Sequence, residues 1–326
     1  MFFDAHSDIW CDVTAKRLAG ETNVLKNHHL DRLRKGQVEG SIFVIWVDPP
    51  YDIDYCARTK DIMRCVKDEV AECDAIRIVH TYDEMMQAKK DGKFYVFHGV
   101  EGMAAAKGDL AMIDTYYDFG CRHGILTWNE ANEFGAGALS GVDTGLTEVG
   151  KKAARKIQDK GMLLDTSHLN EAGFWDIAKL ATRPIVASHS NCKALCDVPR
   201  NLTDDQLRAI RDLDGVVGVN SFNIFVDSDV KKQDVAHLAQ HVAHMADLIG
   251  VEHVGCGFDF FEFCSSDSMD TMDVHDGFET PAVKGMKDSS EIPNLFVELK
   301  KLGMTQEELN KIAYENFQNV IKKSVG

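Results

Sequence analysis

The sequence lacks the local motifs of several common enzyme classes. No GxGxxG follows the first apolar run, no GxxxxGK[ST] loop is present, and no GxSxG elbow is found. These absences disfavour an open dinucleotide-binding sheet, a P-loop nucleotide enzyme and a serine hydrolase of the α/β type. Proline is scarce, at 6 of 326 residues. The chain is therefore expected to form a globular protein with a large core.

Cysteine pairs of the CxxC type are also missing. The nine cysteines are an odd number spread along the chain, which argues against a disulfide framework and predicts reduced thiols. Cys192 and Cys196 have no second pair that would complete a structural metal site. No stretch reaches the ~18 uninterrupted apolar residues of a membrane span, and no signal peptide is evident. We therefore expect a cytoplasmic protein without a membrane partner.

Positive charge is in short supply. The chain has 36 Lys and Arg against 52 Asp and Glu, a net charge of -16. Such a surface repels phosphate backbones and anionic lipids, so nucleic acid is not an expected partner. An acidic surface also attracts cations, although it serves equally well to keep the protein solvated.

The sequence does contain an alternation of short apolar runs and longer amphipathic segments. Eight runs resemble buried strands, and they begin at Phe2, Ser41, Phe94, His123, Gly161, Pro184, Gly215 and His253. Thr203 and Thr305 are predicted helix N-caps, with Gln206 and Glu308 three residues later. Eight alternations predict a single α/β domain over residues 1–326, a (β/α)8 TIM-type barrel, although an open doubly wound sheet remains possible.

Two segments fall outside this alternation. Residues 260–293 form the longest stretch without clear periodicity, and we expect a long loop after the eighth strand that acts as a lid. Residues 294–326 carry two more helical patterns, which predict additional C-terminal helices.

Polar residues interrupt the apolar runs near corresponding strand ends. They are His6, Asp8, Glu101, His168, His189 and Asp259. The C-terminal strand ends of an α/β barrel open onto one face, so these side chains would converge there. A single His or Asp at such a place is most often a hydrogen-bonding or capping residue, but six are hard to explain by capping. Their convergence predicts a site for two divalent ions, with zinc, cobalt and manganese as the suitable metals.

Each ion can be given ligands. His6 and Asp8 are two residues apart, so the strand period directs both side chains to one side, where one metal can take both. His168 and His189 would bind the second metal, and Glu101, with two oxygens, is the natural bridge. Two ions 3.5–4 Å apart, about the usual spacing, can hold a hydroxide between them and polarise a substrate carbonyl.

Proton transfer needs a further group. Asp259 is the carboxylate left over beside that water, and it is suited to accept the proton and pass it to a leaving amine. Glu101 and Asp259 are therefore the candidate catalytic residues.

A second group of histidines is another candidate metal site. His237, His241 and His244 have the spacing of one helix face. The group lacks the Glu of an HExxH motif and lies in a predicted outer helix. We expect these side chains to pack or to face solvent.

Several longer motifs are distributed over nearly the whole chain: DAHSDIW, HGVEGM, LTWNEANEFGAG, LLDTSHLNE, PIVASHSNCKAL, VPRNLTDDQLRAI and VGCGFDF. Together they resemble the membrane dipeptidase family, also called renal dipeptidases. The resemblance implies a binuclear zinc peptidase that acts on small dipeptides, built on a (β/α)8 barrel with an amidohydrolase-like metal site. Its relatives often form homodimers. It implies the same ligands, with Glu101 as the bridge, and that Asp259 assists the catalytic water. It also implies that Arg200 recognises a substrate carboxylate, which a guanidinium matches with two hydrogen bonds.

Two positions depart from the animal members of that family. Trp128 stands where those members carry a His that helps to stabilise the oxyanion, and an indole N–H can donate but cannot hold positive charge. Asn129 or Asn132 could substitute. Phe222 stands where the animal members tend to have Tyr. All four residues are expected to contact substrate.

Two rival functions stay open. The same metal pair would attack a lactam, a lactone or another non-peptide amide, so a related barrel hydrolase is one alternative. A metal-retaining binding protein without catalysis is the other, since Trp128 replaces a charged residue.

Overall fold

The computed structural model describes residues 1–264 and 281–325, and within them nine parallel β-strands. The strands are Phe2–Ser7 (β1), Val38–Trp46 (β2), Ile76–Ile78 (β3), Phe94–Glu101 (β4), Cys121–Ile125 (β5), Leu163–Asp165 (β6), Ile185–Ala187 (β7), Val216–Val219 (β8) and Val254–Cys256 (β9). Eight of them pair in the order β1-β2-β4-β5-β6-β7-β8-β9, and β3 pairs with β4 from outside this path. The predicted eight-stranded parallel barrel is confirmed.

The barrel is nearly closed. Within the described residues, β1 and β9 share no hydrogen-bonded ladder, although they are the two ends of the series. A side chain joins them instead, because the Asp4 carboxylate accepts a hydrogen bond of 2.9 Å from the backbone N–H of Phe258. We call this gap between the first and last strands the seam.

Twelve α-helices surround the strands in the part of the chain that is described. They are Ile9–Leu18 (α1), Leu30–Lys35 (α2), Tyr55–Glu72 (α3), Tyr82–Lys90 (α4), Ala111–Phe119 (α5), Glu148–Asp159 (α6), Glu171–Leu180 (α7), Asp204–Asp212 (α8), Val235–Ile249 (α9), Pro293–Lys301 (α10), Gln306–Asn310 (α11) and Asn316–Ser324 (α12). The predicted caps are confirmed: Thr203 forms a capping box with Gln206, and Thr305 with Glu308. The first of the two predicted C-terminal helices is α10, and the second is divided into α11 and α12 by a π-helix over Lys311–Glu315.

The core has two layers, one inside the barrel and one between the barrel and its helices. The strand β2 contributes side chains to both. Ile42, Val44 and Trp46 pack inside the barrel, while Phe43 and Ile45 pack outward with helix residues. Successive side chains of a strand point to opposite faces, so a continuous apolar run is buried on both sides. This is why the parallel strands read as uninterrupted hydrophobic segments.

The structure differs from the sequence-based expectation in detail. The strand β3 was not predicted, and several strands are shorter than their apolar runs; β6, for example, ends at Asp165 and not at His168. Residues 265–280 of the predicted lid over 260–293 lie outside the described residues. Among the helices that are described, none combines the length and apolarity that crossing a bilayer requires.

Candidate metal centre

The carboxyl ends of five barrel strands bring the six predicted residues to one place. His6 lies near the end of β1 and Glu101 is the last residue of β4. Asp8, His168, His189 and Asp259 follow the ends of β1, β6, β7 and β9 by one to three residues, so they lie in the loops at the barrel mouth. All six side chains are buried, with at most 7% of any residue exposed.

His6 lies at the middle of this group. Its Nε2 atom is 3.4 Å from Asp8 Oδ2, 3.3 Å from Glu101 Oε2 and 3.7 Å from Asp259 Oδ1. The His6 and His189 rings lie 3.7 Å apart between centroids. Three carboxylates thus face one imidazole. The described lining of the cavity next to them contains no lysine.

Glu101 divides its two oxygens between two sets of histidines. Oε2 faces His6, while Oε1 lies 2.8 Å from His168 Nε2 and 3.4 Å from His189 Nε2. Potential ligand atoms of His6, Glu101 and His189 lie within 4.8 Å of one another, as do those of His6, Asp8 and Asp259. This arrangement can accommodate two cations with a carboxylate between them.

The nitrogen and oxygen atoms of these side chains are suited to bind divalent ions. Both ring nitrogens of His6, both carboxylate oxygens of Asp8 and Nε2 of His189 are buried without a hydrogen-bond partner. Buried polar atoms are normally paired, so a group of orphaned ligand atoms in one place indicates a missing partner. Imidazole nitrogen and carboxylate oxygen together suit zinc and similar ions.

The backbone at two of these residues is unusual. His168 and Asp259 have φ angles of 67° and 60°, in the left-handed region that non-glycine residues rarely adopt. Such conformations persist when surrounding contacts hold them, and they concentrate at functional sites. The loops after β6 and β9 therefore hold these two side chains in fixed directions.

Close backbone packing fixes the loop that carries His189. A Cβ atom built on Gly257 would lie 1.7 Å from the Ser188 carbonyl oxygen, and one on Gly218 would lie 1.9 Å from it. Only glycine permits this approach. The segment before His189 is thus clamped between the ends of β8 and β9.

Hydrogen bonds behind the ligands orient two of the rings. His189 Nδ1 lies 2.7 Å from Ser188 Oγ, and His168 Nδ1 lies 2.9 Å from Asn129 Oδ1. When each Nδ1–H donates to its oxygen, the Nε2 lone pair faces the site. The Asp165 carboxylate accepts bonds from the backbone N–H of Ser188, at 3.2 Å, and from that of Ser167, at 2.8 Å.

The charges of these groups suit a cation. Burial, followed by repulsion from Arg200, lowers the pKa of His168 to about 4, and burial also holds the pKa of His189 well below its usual value. Burial opposes ionisation of Glu101, but His6 and His168 hold its pKa well below the usual range. Two neutral imidazoles therefore face an ionised carboxylate, as metal ligation requires.

The neighbouring carboxylates change the pKa of His6. Burial alone would lower the pKa of His6, but the negative charges of Glu101 and Asp8 raise it well above its ordinary value. Burial raises the pKa of Asp259, with Glu101 adding to the effect. The excess of negative charge calls for a positive partner, which a proton on His6 or a bound cation can supply.

A cavity of about 210 Å³ opens beside these residues. The predicted substrate residues Arg200, Trp128, Asn129 and Phe222 line it, together with Glu101, His168 and Asp259. Asn132 is not part of the lining. Its Nδ2 donates to the Leu126 carbonyl at 2.9 Å and its Oδ1 accepts from Phe134 N at 2.9 Å, so this side chain shapes the loop after β5.

Sequence reasoning missed the supporting residues. The sequence patterns did not predict Ser188 or Asp165 as supporting residues, and they left His123 outside the site as a structural or surface residue, although His123 Nε2 lies 2.6 Å from Asp165 Oδ2 inside the barrel. Asp165 follows an apolar run in LLDTSH, three residues before His168, and this position was the available signal. Nothing in the sequence indicated the contact with His123.

Comparisons with known proteins agree with this geometry. The family model for the membrane dipeptidases, peptidase family M19, matches residues 1–325. An uncharacterised protein of Klebsiella pneumoniae, from the region 5′ of pqqA, is 34% identical over 256 residues, which cover 76% of this chain and 88% of that protein. A solved structure described as dipeptidase AC, a metallopeptidase of family M19, has a TM-score of 0.85 at 25% identity and covers 100% of this chain and 99% of its own.

A second solved structure supports the fold. A metallopeptidase of Rhodobacter sphaeroides, liganded with a phosphinate mimic of L-Ala-D-Ala, has a TM-score of 0.85 at 24% identity, with 99% of each chain covered. Together with the match of the family model over almost the whole sequence, the barrel and its mouth lead to one conclusion. The chain belongs to the membrane dipeptidase family, peptidase family M19.

Proposed function

We propose that this protein hydrolyses the peptide bond of dipeptides and uses two divalent ions, most suitably zinc, at the barrel mouth. One observation carries the proposal: Arg200 lies in the same small cavity as Glu101 and Asp259, and its Nη2 atom is buried without a hydrogen-bond partner. No described carboxylate forms an ion pair with this guanidinium, which is only 4% exposed. A buried cation of this kind suits a ligand that brings its own carboxylate.

The metal ligands are proposed as a set. His6 and Asp8 would hold one ion, His168 and His189 the other, and Glu101 both, because its two oxygens face the two groups of histidines. When bound, such a pair of ions activates water for attack and polarises the scissile carbonyl. Ser188 and Asn129 would keep His189 and His168 in the orientation that this binding needs.

Arg200 would select the length of the substrate. A guanidinium binds a carboxylate through two parallel hydrogen bonds, so a free C-terminal carboxylate is held in one orientation. The cavity of about 210 Å³ is smaller than a typical pocket for drug-sized ligands, which holds roughly 300–1,000 Å³. A chain that continued past the second residue would lack the charge that Arg200 requires, which favours dipeptides over proteins.

Asp259 is proposed as the group that moves the proton. Its Oδ2 accepts a hydrogen bond of 2.9 Å from Asn220 Nδ2, which leaves Oδ1 directed at the site, 3.7 Å from His6 Nε2. A carboxylate with a raised pKa can take the proton of the attacking water and return it to the leaving amine.

The oxyanion would be stabilised without a histidine cation. Trp128 lines the cavity and adds no charge there. Asn129 also lines it, and with Oδ1 engaged by His168 its Nδ2 is left as a donor. Of the two asparagines considered from the sequence, Asn129 is therefore the one that we propose for this role.

We propose that one barrel domain carries the activity. All nine cysteines are free thiols, and seven of them are buried, which supports a reducing compartment such as the cytoplasm.

A library of L,L and L,D dipeptides, assayed with zinc and again with chelator, tests the activity directly. We expect free amino acids to be released only in the metal-loaded samples. Release that continues at full rate in chelator, or cleavage of lactams and lactones without cleavage of any dipeptide, would contradict the proposal.

Arg200→Met tests the carboxylate contact. The variant should lower kcat/KM for a dipeptide by on the order of 10²-fold, because the substrate carboxylate loses its buried partner. The same dipeptide with a C-terminal amide should be a poor substrate for both proteins and differ little between them. Arg208→Met is the matched control, since Arg208 pairs with Asp205 on the exposed face of α8.

A further inference from the structure

The cavity beside the metal centre has an aromatic wall, in which four rings line the cavity and a fifth, that of Trp46, lies behind the lining. Its ring centroids follow one another at short distances: Phe225 to Phe222 at 5.0 Å, Phe222 to Phe261 at 6.2 Å, Phe261 to Trp46 at 5.8 Å, and Trp46 to Trp128 at 5.4 Å. The wall begins at Arg200, whose guanidinium carbon lies 5.5 Å from the Phe225 centroid. It ends at His168, whose ring lies 6.2 Å from Trp128. An aromatic surface thus runs from the carboxylate anchor to the metal ligands.

Aliphatic side chains complete this surface. Leu139 and Ile224 line the cavity along with four of the five wall residues, and Trp46 packs behind Trp128 and Phe261. Leu139 is 52% exposed and lies in the loop after β5. An exposed leucine at the edge of an apolar cavity extends the apolar surface toward solvent.

Each charged group of the described lining already has a role in the proposed site. Its carboxylates are Glu101 and Asp259, which belong to the metal centre, and its permanent cation is Arg200, which is assigned to the C-terminal carboxylate. A charged substrate side chain in this cavity would therefore lose water and gain no partner. Burial of an unpaired charge is strongly unfavourable.

From this wall we infer that the enzyme selects dipeptides with apolar side chains, most strongly at the C-terminal residue. The inference rests on the proposed function, because Arg200 must hold the carboxylate for the register to be set. The C-terminal side chain then lies beside Phe225, the wall residue next to Arg200, and Phe222 follows it. The N-terminal residue lies toward Trp128 and the metal ligands.

A small panel of matched dipeptides tests the selection. Leucine and asparagine have similar shapes, so Ala-Leu, Ala-Asn and Ala-Asp differ mainly in polarity and charge. We expect kcat/KM for Ala-Leu to exceed that for Ala-Asn by about tenfold or more, since the leucine side chain is stabilised by burial against the rings and the asparagine amide loses water there without gaining a partner. Ala-Asp should be the poorest of the three. Leu-Ala against Asn-Ala should show a smaller ratio.

The outcomes separate the two proposals. If the metal-loaded enzyme cleaves all of these dipeptides with equal kcat/KM, or prefers Ala-Asn, the side-chain selection is wrong and the dipeptidase activity stands. If it cleaves none of them, the proposed function fails and the selection fails with it.

Substitution at the cavity edge tests the wall without disturbing the core. Leu139→Lys should narrow the ratio of Ala-Leu to Ala-Asp by about fivefold, because a nearby ammonium contributes roughly 1 kcal/mol to an anionic side chain. Leu302→Lys is the matched control, since Leu302 is also 52% exposed but lies at the end of α10, outside the cavity lining. An unchanged ratio in Leu139→Lys, or an equal change in both variants, would overturn the inference.

Discussion

Two groups of three histidines in this protein show how differently the same residue type can be used. His6, His168 and His189 come from three strand ends and meet at the barrel mouth. His237, His241 and His244 lie together on the helix α9. We refer to them as the mouth histidines and the helix histidines.

Each helix histidine has a partner of its own. His237 Nδ1 lies 2.8 Å from Asp234 Oδ1, and His244 Nε2 lies 2.9 Å from Asp204 Oδ1. His241 is buried between two backbone groups: its Nδ1 accepts from Cys192 N at 3.1 Å and its Nε2 donates to the Val226 carbonyl at 2.8 Å. As expected from the sequence, these side chains pack or lie near the surface.

The mouth histidines share one carboxylate, Glu101, and His6 and His189 leave ring nitrogens unpaired. The density of histidines along the sequence therefore says little about metal binding. Unsatisfied ring nitrogens near a common carboxylate say much more, because a buried nitrogen without a partner is costly unless a ligand completes it.

Removal of the shared carboxylate should have the largest effect on the mouth histidines, because all three lie within 3.4 Å of Glu101. Glu101→Gln retains the shape of the side chain but replaces one oxygen with an amide nitrogen, which does not ligate metals. We expect the variant to lose an ion and to lower kcat by on the order of 10⁴-fold or more. Metal content and turnover should be measured together, with His244→Gln as the control that changes neither. An active Glu101→Gln enzyme with both ions would refute the bridging role.

Asp259→Asn should separate catalysis from metal binding. The amide still occupies the space beside Asn220 and His6, so metal content should stay near normal. Because the group that moves the proton is lost, kcat should fall by on the order of 10²-fold or more. A normal turnover number in this variant would remove Asp259 from the mechanism.

Acid should lower the stability of the fold through His241, the buried member of the helix histidines. Burial lowers the pKa of His241 to about 4, whereas an unfolded histidine titrates near 6.5. Between these values the unfolded chain binds more protons, so the free energy of unfolding should decrease as pH falls from 6.5 toward 4, by about 2 kcal/mol. His241→Asn keeps an acceptor for Cys192 N–H and does not titrate.

Denaturant unfolding of both proteins across this pH range gives the measurement. The free energy of unfolding of His241→Asn should be lower at neutral pH, because the bond to Val226 is lost. The difference between the two proteins should then shrink as pH falls. A constant difference at every pH would show that His241 does not carry the effect.

Ser188→Ala should give the smallest effect of the series. His189 Nδ1 loses its oxygen partner, and the ring becomes less well oriented toward the metal. Loss of such a supporting contact typically weakens metal binding by roughly 10–100-fold, and we expect the lower end of that range. Titration against a competing chelator measures it, and an affinity equal to the wild type would show that the Ser188 contact is dispensable.

The barrel and the gathering of six polar residues followed from the sequence because both depend on regular features. Continuous apolar runs mark strands that are buried on both faces, and the ends of parallel strands meet whatever loops join them. The strand Ile76–Ile78 was missed because three residues, two of them half-exposed, leave no periodicity to read.

Contacts between loops could not be foreseen in the same way. Asn129 was proposed to contact substrate, and its Oδ1 also accepts from His168, a bond that depends on the conformation of two separate loops. Asn132 has the same residue type three positions later, yet it bonds only within its own loop. Residue type and spacing cannot distinguish two such asparagines, since the backbone of the loop decides which one reaches the cavity.

The seam has a consequence for how the protein holds together. His6 follows Asp4 by two residues on the first strand, while Asp259 directly follows Phe258 after the last. A cation bound by His6 and Asp8 beside the first strand would also attract the nearby Asp259 carboxylate beyond the last strand, and this attraction would hold the two edges of the barrel together. The apoprotein should therefore melt at a lower temperature than the loaded enzyme, and its first and last strands should exchange their amide hydrogens sooner.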